Sequence, residues 1–215
     1  METAALARRK SLTIGLPAGV LPLSTLAQVE QLAQAYEGLT LYLTTTQNLR
    51  LLNIKEEDLE EVRRELVAAG ILVKRPGLFP LPKVCVGNRD CKLGLVDTIA
   101  LGGRLAAHFA GVAKMKPKVK IAIAACPASC SGPLLADIGV VATKGGYDLY
   151  VGGKGGPLPR AGKRVLRGVD EAAMIGAVER LAAFHEKKTT KKQRLFKLLA
   201  DPEFPFPTGP STSSK

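Results

Sequence analysis

Residues 117–132 read PKVKIAIAACPASCSG, and the organisation of the chain can be worked outward from them. Val119, Ile121 and Ile123 alternate with Lys118, Lys120, Ala122 and Ala124, the period-two pattern of a β-strand over 118–125. That strand runs directly into CPASCSG at 126–132. There Pro127 fixes one φ, and the small residues let backbone come close to a bound group. Upstream, residues 85–91 read CVGNRDC. All four cysteines therefore fall within 85–130, as Cys85-x5-Cys91 and Cys126-x3-Cys130.

Four thiols concentrated in this way point to metal or redox chemistry rather than to disulfides. Structural zinc usually takes tight C-x2-C knuckles, and neither pair has that spacing. An iron–sulfur cluster needs four soft anionic ligands from flexible Gly/Pro-rich turns, and the second pair, CPASCSG, is such a turn. On spacing alone, zinc and four unconnected core thiols stay open beside the cluster.

The 215 residues are 46% hydrophobic and 23% charged, enough to bury a core in one domain or two small lobes. Global disorder is excluded by that composition. No run of 18 apolar residues exists, so no conventional transmembrane helix and no membrane partner is expected. The N-terminal METAALARRKSLTIG lacks an apolar signal region, which makes the cytoplasm the expected compartment. The net charge of +12 is unevenly spread: residues 1–75 balance, whereas 76–159 and 160–215 each carry an excess of six positive charges. A basic surface can attract nucleic acid, anionic lipid, an acidic protein or an anionic ligand.

Within 1–75 the periodicities predict a helix–strand–helix–strand lobe. Its helices run over 24–36 and about 56–69, and its strands are a half-buried one over 39–44 and a short one over 71–74. PGLFPLP at 76–82 reads as a linker. Beyond it we expect an apolar helix over about 96–112, the 118–125 strand, and a hairpin of 137–143 with 147–151 around Lys144-Gly145-Gly146. A helix over about 170–185 and a short amphipathic one carrying Leu195, Leu198 and Leu199 complete the second domain. Residues 201–215 have the composition of a flexible tail, so the domain reading is 1–75, 76–200 and a tail.

CVGNRDC, PKVKIAIAACPASCSG, LADIGVV, GGYDLYVGGKGG and PLPRAG together resemble the sirohaem-containing sulfite and nitrite reductases, the small single-repeat type in particular. TTTQNLRLLNI at 44–54 is similar to that family's ferredoxin-like half-domain. The resemblance implies an α+β chain: a ferredoxin-like half-domain followed by an α/β domain that binds sirohaem and a [4Fe-4S] cluster. It implies that Cys85, Cys91, Cys126 and Cys130 hold the cluster, and that Cys130 bridges it to the sirohaem iron. Lys118 and Lys120 match a K-x-K pair that contacts the substrate anion in the family. Residues i and i+2 of a strand share a face, so two ammonium groups there suit a small oxyanion. Two solvated lysines on an edge strand are the plainer alternative.

Sirohaem carries eight carboxylates. Arg89, Lys154, Lys144 and Arg160 are candidate cations for them, and Thr44, Gln47, Asn48 and Arg50 are the corresponding candidates in the first lobe. The chain departs from the family at Thr46, where arginine is frequent, and at Arg50, where glutamine is usual. It has one copy of a unit that larger members repeat, so a dimer or a complex with another reductase subunit is a possible assembly. No flavin or nicotinamide motif is present, and electrons are expected from a protein donor such as a ferredoxin, with the basic 187–197 segment as one docking candidate.

The expected activity is thus six-electron reduction of sulfite to sulfide, or of nitrite to ammonia. A second reading is an iron–sulfur electron-transfer or assembly subunit without catalysis. A third, a basic nucleic-acid binder on a zinc site, is opposed by the cysteine spacing and the 5% aromatic content, so no nucleic-acid partner is expected. His108 and His185 read as structural or solvated.

Overall fold

The computed structural model describes residues 9–111, 119–190 and 193–207. The chain divides into two compact units, Met1–Arg75 and Pro76–Lys215.

In the first unit, β1 (Arg9–Ile14), β2 (Thr40–Leu43) and β3 (Leu49–Lys55) form an antiparallel sheet in the order β1-β3-β2. Helices α1 (Leu23–Ala35) and α2 (Leu59–Ala68) contribute Val29, Leu32, Val62 and Leu66 to its core. The central strand is β3, which period-two reading misses for a physical reason. Asn53 adopts φ 64°, and the pairing steps from Lys10↔Ile54 to Leu12↔Leu51, so β3 spends three residues against two. This bulge breaks the alternation while keeping Leu49, Leu51 and Ile54 buried. The strand read as half-buried, β2, is instead an exposed edge, with Leu43 74% accessible. Residues 71–74 form one bridge, Ile14↔Val73, rather than a full strand.

The second unit is built on a five-stranded sheet, in the order β4 (Lys83–Val84), β5 (Ile121–Ala124), β6 (Ile138–Thr143), β7 (Gly146–Val151) and β8 (Lys163–Val169). The first three are parallel and the last two antiparallel. All four residues of β5 are buried, so the strand is covered on both faces rather than on one. Helix α3 (Thr98–His108) packs on β4 and β5, and the turn Pro133–Leu135 packs on β5 and β6. Gly139 makes that cover possible: a Cβ there would lie 2.2 Å from the Pro133 carbonyl oxygen.

The β6–β7 hairpin closes through Lys144-Gly145, with Thr143 paired to Gly146, as its glycines predict. The edge strand β8 escapes periodicity because of two register shifts, and it carries Lys163, Arg164 and Arg167 as expected of a protected edge. Helix α4 (Glu171–Lys188) is capped by Asp170, whose carboxylate accepts the Ala173 N–H. It is tied to α3 by a two-bond Arg104–Glu171 pair at 2.7 and 2.8 Å.

A 3-10 turn at Leu195–Leu198 follows, and the chain stays packed beyond residue 200. Phe204 meets Phe184 edge-on at 5.2 Å, Phe206 is buried beneath Arg180, and Asp201 and Glu203 both bind Lys188. The composition reading of a tail from residue 201 is corrected to this extent: proline and serine content cannot register two aromatic anchors. Among the described residues, no helix is long and apolar enough to cross a membrane.

Candidate metal and cofactor centre

Parallel pairing of β4 with β5 decides where the cysteines go. Lys83 stands opposite Ala122 and Val84 opposite Ile123, so Cys85 and Cys126 leave adjacent strands at the same, C-terminal end. The main-chain N–H of Ala125 donates to Cys85 Sγ at 3.1 Å, which seats that sulfur beside the start of the second turn. Cys91 is held one turn on, its N–H bonded to the Gly87 carbonyl at 3.0 Å. The Leu95 N–H donates to the Ala125 carbonyl at 2.9 Å, which fastens the first cysteine loop to the second. Gly87 and Gly94 let the first loop fold this tightly: an added Cβ at Gly94 would come within 2.6 Å of the Asn88 nitrogen. Buried Thr98 donates from Oγ1 to the Cys85 carbonyl at 2.5 Å.

The second turn is wound around residues in the left-handed region, Ser129 at φ 56° and Gly132 at φ 70°. Ser131 Oγ anchors it by donating to the Ile123 carbonyl at 2.6 Å. Cys85, Cys91 and Cys126 are half-buried and Cys130 is exposed, and all four are free thiols.

Among the described residues no three His, Cys, Asp or Glu side chains converge closely enough to hold a single metal ion. A tetrahedral ion with Zn–S bonds near 2.3 Å requires sulfurs only ~3.8 Å apart. A four-iron cluster gives each thiolate its own iron and so holds the sulfurs further apart. Four solvent-accessible cysteines, three half-buried and one exposed, on two tight turns at one end of a sheet fit the larger group by the chemistry of the donor set.

The other predicted residues fall in separate places. Lys118 lies outside the described residues. Lys120 is exposed at the opposite end of β5 from Cys126, and its main chain is pinned on both sides. Its N–H donates to Asp137 Oδ2 at 2.8 Å, and its carbonyl accepts the Ile138 N–H at 3.1 Å. Asp137 is fully buried, and sequence reading missed it. It also takes Arg194 Nε at 2.7 Å and the Leu195 N–H at 2.9 Å, while Arg194 Nη2 donates to the Gly153 carbonyl at 3.0 Å. One carboxylate thus joins the Lys120 strand, the glycine turn at 152–156 and the C-terminal segment. The only sequence signal for it was its place in LADIGVV.

Lys154 sits in that turn, bridged to Arg160 by two main-chain hydrogen bonds. Both cations lie over the Phe196 ring, at 5.5 and 5.6 Å from its centroid. Lys144 is exposed at the tip of the β6–β7 hairpin, at the cysteine end of the sheet. Arg89 is paired with Asp97 at 2.8 Å. Asp97 caps α3, and the Ala100 N–H together with Arg89 holds its carboxyl below the usual carboxylate range. Much of the basic 187–197 charge is answered internally: Lys187 and Lys188 by Glu203 and Asp201, Arg194 by Asp137.

In the first unit residues 44–48 form the β2–β3 turn, with Gln47 at φ 57°. Asn48 is buried and braces the turn. Its amide nitrogen donates to Thr46 O and Oγ1, and its amide oxygen accepts the Leu16 N–H at 3.1 Å. Thr44 Oγ1 accepts the Asn48 N–H at 3.0 Å and lies 3.1 Å from the Asn48 carbonyl. Arg50 projects from the sheet onto Ser11 Oγ, 2.7 Å from Nη2.

Residues 81–202 match the nitrite and sulphite reductase 4Fe-4S domain, and residues 7–69 match the nitrite/sulfite reductase ferredoxin-like half domain. The chain belongs to the nitrite and sulfite reductase family. The sirohaem and [4Fe-4S] cofactors implied by the cysteine motifs are consistent with this membership.

Two curated relatives differ sharply in length. The nitrite reductase [NAD(P)H] of Bacillus subtilis (strain 168) is 35% identical over 150 residues, 69% of this chain but 18% of that enzyme. The assimilatory-type sulfite reductase of Nitratidesulfovibrio vulgaris is 28% identical over 200 residues, 91% of this chain and 90% of that one. Among solved structures, the Mycobacterium tuberculosis NirA protein superposes with a TM-score of 0.71 at 20% identity, covering 88% of this chain and 37% of NirA. That likeness establishes a shared fold.

Proposed function

We propose that this family member is a small sulfite reductase that carries out the six-electron reduction of sulfite to sulfide with electrons from an external protein donor. The observation that carries the reading is the delivery of Cys85, Cys91, Cys126 and Cys130 to one end of the β4–β5 pair. Preference for sulfite over nitrite rests on the reach of the likeness along this chain: the assimilatory-type sulfite reductase aligns with 91% of it, against 69% and 83% for two nitrite reductases.

In this reading Cys85, Cys91, Cys126 and Cys130 would hold the cluster, and Cys130, the exposed one, would also serve the sirohaem. When bound, the cofactors would relay the donor's electrons to the anion, a task the protein's own side chains cannot perform. Lys118 and Lys120 keep the anion-attracting role that the K-x-K match gives them, and because Lys120 stands at the end of β5 away from Cys126 its part is attraction of the anion at a distance rather than proton delivery at the cysteine turns. Asp137 keeps the Lys120 main chain in place while that side chain works. Lys154 and Arg160, steadied on Phe196, take carboxylates of the macrocycle.

The test is turnover of sulfite and of nitrite with a reduced ferredoxin-type donor. Lys120→Ala is expected to lower sulfite reduction about 10²-fold while both cofactors stay bound. Cys130→Ser is expected to lose or uncouple the sirohaem. Wild-type turnover in Lys120→Ala refutes the substrate assignment, and an unchanged spectrum in Cys130→Ser refutes the bridge. An electron-transfer subunit would show cluster absorption and no turnover of either anion in the wild-type chain.

A further inference from the structure

The face of the sheet that lies under the second cysteine turn is a row of small residues with one long cation at its margin. Lys83, Ala122 and Gly139 are neighbours across β4, β5 and β6, so their Cβ directions share a face. The missing side chain at Gly139 lets Pro133 lie directly on that face. Lys83 extends from the same row, and its Nζ stands 3.7 Å from where a Cβ on Gly132 would be. Gly132 is the residue that closes the turn carrying Cys126 and Cys130. Lys83 as a residue is half-buried, and no carboxylate pairs with its ammonium among the described residues.

We infer that Lys83 is a charge-compensating residue for the cluster turn, holding a positive charge beside the thiolate-bound group so that its reduced, more negative state is favoured. The inference rests on the cluster assignment proposed above. Lysine suits the position because its four-carbon stem runs along the Ala122 row and delivers a point charge at the turn. Sequence reading passed Lys83 over because it precedes the first cysteine pair in the linker-like PGLFPLPK, 43 positions before the turn it reaches in the fold.

The experiment is a redox titration of the purified holoprotein, following the cluster by absorption and electron paramagnetic resonance, for wild type, Lys83→Met, Lys83→Gln and Lys83→Arg. Removing the charge is expected to disfavour reduction of the cluster on the order of tenfold, ~59 mV more negative for a one-electron couple. Arginine is expected to restore most of that shift. Equal potentials in Lys83→Met and wild type overturn the inference and leave the cluster assignment standing. A wild-type protein without iron and acid-labile sulfide overturns the cluster assignment itself, and the inference with it. If Lys83→Met and Lys83→Gln fail to retain a cluster that Lys83→Arg retains, the charge is required for loading, which supports the inference. Loss in all three variants assigns Lys83 to packing and overturns it.

Discussion

Asp137 is the residue that ties three segments of the second unit together. It accepts from the Lys120 and Leu195 main chains and from Arg194 while fully buried. Breaking a buried ion pair by removing one charge leaves the other uncompensated. Asp137→Asn is therefore expected to destabilise the protein by about 3 kcal/mol, read as a lower midpoint in denaturant. An unchanged midpoint would show that Arg194 finds its own solvent. The cysteines were legible as a set because four thiols in 46 positions are rare enough to stand out. Asp137 was not, since a single carboxylate in an apolar run looks the same whether it joins three segments or none. Asn48 shows the converse: its motif was visible, but its amide braces the turn, which only the fold reveals.

Among the elements, α3 begins beside the first cysteine loop and its cap carries a pH dependence. The Asp97 carboxyl is held low chiefly by the Ala100 N–H, with Arg89 adding to it. A depressed folded-state pKa contributes stability above the ordinary aspartate value, and that contribution is lost as pH falls through the depressed one. Asp97→Asn is expected to flatten the acid limb of the stability–pH curve below about pH 4, measured by thermal melts across pH. A curve parallel to wild type would remove the cap from the account. At the far end of the unit, Phe206→Ala is expected to cost about 3 kcal/mol by the measure of buried aromatics. The check is the melting temperature, and no loss would put residues 201–207 back in a tail. Helices α1, α2 and α4 and the β6–β7 hairpin could be read from periodicity, caps and glycines. Strands β3 and β8 could not, because bulges interrupt the period on which such reading depends.

At the scale of the whole molecule, a charge-balanced first unit and a basic second unit agree with the division of the chain after Arg75. The positive excess lies with the unit that carries the cysteines, Lys83, Lys120, Lys154 and Arg160. The proposed binding of a many-carboxylate macrocycle and a small oxyanion would give that excess a use. The central claim is that one coupled sirohaem and [4Fe-4S] centre resides on these four cysteines. The most direct test is an absorption spectrum of the anaerobically purified protein, combined with iron and acid-labile sulfide analysis. An isobacteriochlorin band in the red and iron in excess of sulfide are expected. Zinc with no sulfide, or cluster absorption without the red band after expression with ample sirohaem supply, would contradict that claim.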